Sequence, residues 1–152
     1  MKRMKDDEGE VMKRLKKSSI WIMAWLFFIG FLGAAYAQTY ESLPGPGKKA
    51  EIGKDHYLIY SFNKKPQMGM VILKIELFDK AGKKDSSFQI TGNVDMPSMR
   101  GAHGSGDQSL QQNSKGDYLL ALNLVMPGEW EVQLVFLKDK NIIHRGSIRF
   151  RV

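Results

Sequence analysis

Between His56 and Val152 the apolar residues return at almost every second position, and nowhere after residue 38 do they return at the helical spacing of about 3.6. Alternation of this kind gives a strand one apolar face, and two sheets facing each other bury such faces. Met70–Phe78 places Val71, Leu73, Ile75 and Leu77 on one side and Lys74 and Glu76 on the other, with Met70, Ile72 and Phe78 leaving that outer face half apolar. Ser86–Met96 keeps Phe88, Ile90, Val94 and Met96 in phase. Gly92, in mid-run, predicts a bulge or a close backbone approach. Tyr118, Leu120, Leu122 and Leu124 form another phase, and Trp130, Val132, Leu134 and Phe136 the next. In the last run Ile142, His144, Gly146, Ile148 and Phe150 face one way and Ser147, Arg149 and Arg151 the other. His56–Phe62 is a further strand, and a short one begins near Leu110.

Turn signals separate these runs: Asn63-Lys64-Lys65-Pro66, Asp79–Lys83, Asn113–Asp117, Met126-Pro127-Gly128-Glu129 and Lys138–Asn141. The expectation is an all-β fold, an immunoglobulin-like antiparallel β-sandwich of about seven strands over residues 55–152. Residues 38–54, with Pro44-Gly45-Pro46-Gly47, read as a linker or a disordered terminus.

The first 37 residues follow another pattern. Ile20–Leu32 is uncharged and apolar, preceded by Lys13, Arg14, Lys16 and Lys17 and followed by Ala35-Tyr36-Ala37. A basic head, a short apolar helix and an Ala-x-Ala end describe a secretory signal peptide cleaved after Ala37. Ile20–Ala37 also approaches the shortest helix that spans a bilayer, so an uncleaved anchor is the rival reading. In either case the basic end stays in the cytoplasm and the rest lies outside the membrane, periplasmic or otherwise extracytoplasmic. Membrane contact is then confined to this segment. The acidic stretch Asp6–Glu10 is unusual before such a signal, and Met12 is an alternative start.

Charge and composition exclude several classes. The formal net charge of +7 divides into +3 before residue 38 and +4 after it, without a dense basic run. Nucleic-acid binding calls for a concentrated basic face, so it is not expected. The chain has no cysteine, which removes disulfides, thiolate metal sites and thiol nucleophiles. No serine sits in a nucleophile elbow, the three histidines His56, His103 and His144 are far apart in the chain, and no glycine loop opens a helix onto a phosphate. No carboxylate pair is singled out. The chain reads as a non-enzyme, with no catalytic residue.

One stretch carries candidate chemistry, Val94–Gly106. It holds Met96, Met99 and His103, with Gly101, Gly104 and Gly106 to let the backbone turn. Thioether sulfur and imidazole suit Cu(I), and outside the cytoplasm without cysteine they are the soft ligands at hand. The structural alternative stands beside this: Met96 continues a buried phase as a core filler, Met99 caps the open end of the sandwich and His103 is a loop residue. His144, in phase with core positions, and Trp130 and Met126 read as core residues.

Several blocks, in order, resemble the YtkA-like/FixH-like family: Pro66-Gln67-Met68-Gly69-Met70-Val71, Phe78-Asp79-Lys80-Ala81-Gly82-Lys83, Asp95-Met96-Pro97-Ser98-Met99, Gly116-Asp117-Tyr118 and Met126-Pro127-Gly128-Glu129-Trp130. The resemblance spans roughly residues 56–152. It implies an exported immunoglobulin-like module behind a signal or single anchor, associated with haem–copper oxidase assembly or copper handling. Arg100 and Ala102 stand where that family often has further methionine or histidine, and a cation beside the site opposes a bound ion. Two functions therefore follow as expectations. One is a copper-binding accessory protein using Met96, Met99 and His103; the other is a metal-free module that docks on a membrane-complex or envelope protein.

Overall fold

The computed structural model describes residues 38–102 and 104–152. The hydrophobic helix expected at the amino terminus, as signal or anchor, and His103 lie outside the described residues. Among the described residues, no helix is long and apolar enough to cross a membrane.

The fold is all-β. Among the described residues ten strands follow in order: β1 (Glu41–Ser42), β2 (Lys49–Ile52), β3 (His56–Phe62), β4 (Gly69–Asp79), β5 (Gln89–Asp95), β6 (Gln108–Ser109), β7 (Gln111–Gln112), β8 (Tyr118–Leu124), β9 (Glu129–Lys138) and β10 (Asn141–Arg151). They form two five-stranded sheets, ordered β1-β10-β9-β5-β6 and β2-β3-β4-β8-β7. Every pairing is antiparallel except the short parallel contact of β1 with β10.

The alternating residues of both sheets meet in a single core. Val71, Leu73, Ile75 and Leu77 of β4 and Leu120, Leu122 and Leu124 of β8 pack there with Ile90, Val94, Trp130, Val132, Leu134 and Phe136 from the other sheet. Gly92 marks a close approach and not a bulge: β5 stays in register with β9, and a Cβ at Gly92 would lie 2.7 Å from Leu120 Cδ2 of the facing sheet.

Three parts of the sequence reading are corrected. Residues 38–54 are not a free linker, because β1 and β2 join the two sheets and Leu43, Ala50 and Ile52 are buried in the core. Strands exceed the expected seven because short polar pairings escape periodicity. The run near Leu110 divides into β6 in one sheet and β7 in the other, with Leu110 buried between them. The phase of β10 also breaks, since a register shift between Ile142 and His144 turns Ile142 outward. His144 keeps its inward place beside Phe136, with ring centroids 6.0 Å apart.

Candidate functional site

The Val94–Gly106 stretch leaves the end of β5 and is held by its own polar groups. Asp95 accepts the backbone N–H of Met96 at Oδ1 and that of Gly101 at Oδ2, both at 2.8 Å. A short carboxylate after a strand stabilises a turn in this way. Pro97–Met99 forms one 3-10 turn, closed by the Met99 N–H on the Met96 carbonyl at 3.0 Å; Ala102 N–H continues to the Met99 carbonyl at 3.1 Å. Gly101 takes φ +81°, a left-handed conformation that glycine adopts without steric cost. Ser105 then returns the chain to β5. Its N–H reaches the Val94 carbonyl at 3.0 Å, and its Oγ accepts the Val94 N–H at 3.1 Å.

Arg100 ties this loop to the sheet. Its Nη2 meets Glu131 Oε2 at 2.5 Å, while Arg149 Nε donates to Glu131 Oε1 at 2.9 Å and Gln133 Nε2 to Oε2 at 3.0 Å. Burial pushes the Glu131 carboxyl upward, but hydrogen bonds from Arg149 and Arg100 outweigh it and hold the carboxyl below the usual carboxylate range. The positive charge of Arg100 is thus engaged by a buried carboxylate. The opposition to a bound cation expected from the sequence is correspondingly weakened.

The three predicted copper ligands are placed unequally. Met96 is 3% exposed and belongs to the core, with its methyl group so close to Gly128 that a Cβ there would lie 2.8 Å from it. Met99, one turn later, is 37% exposed. His103 lies outside the described residues. Met96 therefore faces the interior while Met99 reaches the surface. Met126, expected in the core, is also at the surface, and its carbonyl accepts Trp130 Nε1–H at 3.1 Å. The register places Met68, ahead of β4, Met126, after β8, and the Met99 turn, after β5, at the same end of the sandwich. Among the described residues, no three His, Asp or Glu side chains group to hold a metal ion.

A second feature was foreshadowed by the half-apolar face of β4. Met70 is 54% exposed, and Met68, Ile72 and Val125 are exposed beside it. Met70 pairs with Asn123 and Ile72 with Ala121, so these side chains share the outer face of one sheet. Of the residues that shape the loop, Arg100 stood out in the sequence only as a cation beside the expected site, and Asp95 and Glu131 were given no role there. Asp95 could have been found from its place before a Met-Pro step; the Arg100–Glu131 contact, 31 residues apart, leaves no local trace.

These features define an all-β, two-sheet domain with one polar-anchored loop at its end. No family model and no curated protein matches the chain. Among solved structures it is similar to FetP of uropathogenic E. coli strain F11, crystallised as isolated after recombinant expression in the periplasm of E. coli BL21(DE3). That likeness has a TM-score of 0.40 at 12% identity, over 69% of this chain and 96% of FetP, which makes the two folds only distantly alike.

Proposed function

We propose that the chain is an exported, non-enzymatic accessory protein whose immunoglobulin-like domain docks on a membrane-complex or envelope protein. The observation that carries this reading is the exposed apolar band of Met68, Met70, Ile72 and Val125 on one outer sheet face. Contiguous apolar surface of this kind marks interaction sites, and methionine adapts to the contours of a partner. The amino-terminal signal or anchor would deliver the domain to the extracytoplasmic side. The YtkA-like/FixH-like kinship and a role near haem–copper oxidase assembly belong to the same proposal.

A photo-crosslinking residue at position 70 of the full chain, in its native cells, tests it. The expected result is one discrete heteromeric adduct that Ile72→Lys abolishes and that the same probe at Thr91, on the other sheet, does not give. No adduct at 70, or equal adducts at 70 and 91, overturns the reading.

Copper(I) handling through Met96, Met99 and His103 is the second reading, favoured by the exposure of Met99 and by the gathering of Met68 and Met126 at the same end. Met96 serves as a ligand only if this end opens, so binding through all three residues requires local unfolding. Titrating the full chain with Cu(I) against a competing chelator is the test. Met99→Ala/His103→Ala should weaken binding at least tenfold, and equal weak binding by both chains removes copper from the account.

A further inference from the structure

The two sheets leave strand edges, and these edges are treated differently. β10 is covered by β1 only at Gly146 and Ser147, but it carries Arg145, Arg149 and Arg151. β2 is a four-residue edge carrying Lys49 and Glu51. The far side of β5 is capped by Ser105 and β6. Short edges and edge charges are the usual protection against further pairing. β8 has neither. Among the described residues, β7 pairs with it only at Tyr118 and Leu119, and no strand pairs with Leu120–Leu124 on that side. The outward side chains there are Ala121 and Asn123, followed by Val125, all exposed and uncharged. A cleft of about 410 Å³, lined by Gly104, Ser105, Gln108, Ala121, Asn123 and Val125 among others, separates this edge from the Val94–Gly106 loop.

We infer that two copies of this chain pair through the open edge of β8, antiparallel and centred on Asn123, with Ala121 opposite Val125. Several observations favour a second copy as the occupant. Backbone donors and acceptors on an open edge require an extended strand, and an identical antiparallel strand supplies it by a two-fold axis. Residues 38–152 carry a net charge of +4, so copies of the domain repel one another in general; this edge, without charge, lets them meet. Centring on Asn123 leaves Leu119 to its existing partner Gln111 and sets two amide side chains, able to hydrogen-bond each other, at the axis. The apolar band at Met70 and Ile72 lies one strand away on the same face, so pairing joins two such bands into one surface. The inference goes beyond the docking proposal and does not depend on it.

The absence of cysteine makes the test direct. Asn123→Cys in the full chain, exported in cells and oxidised with tetrathionate, should give a disulfide-linked species of twice the mass of the exported monomer. Val125→Lys, at an exposed position, should reduce that species at least fivefold in the Asn123→Cys background. Glu51→Cys on the β2 edge should give none. Cross-linking at 123 no greater than at 51 overturns the inference, as does linkage of Asn123→Cys to a different polypeptide. Because this probe lies at position 123 and the docking probe at position 70, either proposal can fail while the other stands.

Discussion

Gly128 and Met96 form the tightest residue-level constraint at the loop end of the sandwich. Gly128 adopts φ +141°, which side-chain-bearing residues rarely adopt, and its Cα faces the Met96 methyl group. Gly128→Ala therefore meets both backbone strain and a steric clash. It should lower stability by about 1–3 kcal/mol, read as a lower midpoint in urea. Met96→Ala removes a buried side chain and should cost about 2–5 kcal/mol, whereas Met99→Ala at the surface should change the midpoint little. A Met99→Ala loss equal to that of Met96→Ala would show that both sulfurs are buried. The sequence already held half of this: alternation kept Met96 in phase with a buried face, beside the rival reading as a ligand, and Pro127-Gly128 marked the turn. The contact between them required the register of β5 against β9.

At the scale of elements, the long strands were legible because each alternates over seven or more residues with one buried face. β4 and β8 match their predicted phases residue by residue, and β9 matches in its apolar residues, while Glu131 of its polar phase is buried. The short strands were not legible: β1, β6 and β7 have two residues each, all exposed, and a two-residue run has no period. The prolines and glycines of 44–47 also drew residues 38–54 toward a linker, although Ala50 and Ile52 alternate with Lys49 and Glu51 once the strand is known. The loop was visible as a glycine-rich stretch, but its anchors come from sheet positions distant in sequence. Arg100→Gln weakens the ionic tie to Glu131 and keeps a hydrogen-bonding group. It should speed backbone amide exchange at Gly101 and Ala102 while leaving β9 amides unchanged, as followed by hydrogen exchange.

For the whole molecule, the carboxylates that join the sheets and loops set the response to acid. Asp117 is buried; hydrogen bonds from Lys84 and Asn113 hold its pKa down, and Lys84 also reaches Glu76 at 3.2 Å. Burial raises the Asp85 carboxyl, but bonds from Ser87 and Lys138 lower it far more, and His56 Nε2 lies 3.1 Å away. In each case, as for Glu131, the folded pKa lies below that of the unfolded chain. Their stabilisation is complete above the unfolded carboxylate range, about pH 4, and is lost as pH falls through the lower folded values. Melting temperature should be level above about pH 5 and fall steeply below about pH 4. Asp117→Asn should start from a lower plateau and show a shallower acid limb; an unchanged limb would assign the acid response to the other carboxylates.

Leu110 has a consequence for how this body comes apart. The backbone crosses from one layer to the other within that single buried residue, between Gln108–Ser109 and Gln111–Gln112. Neither layer can peel away without dragging the seam of its neighbour, so heat should undo both in one step. Calorimetry of the exported protein should then return matching van't Hoff and calorimetric enthalpies, and Leu110→Gly, by slackening that stitch, should broaden the transition.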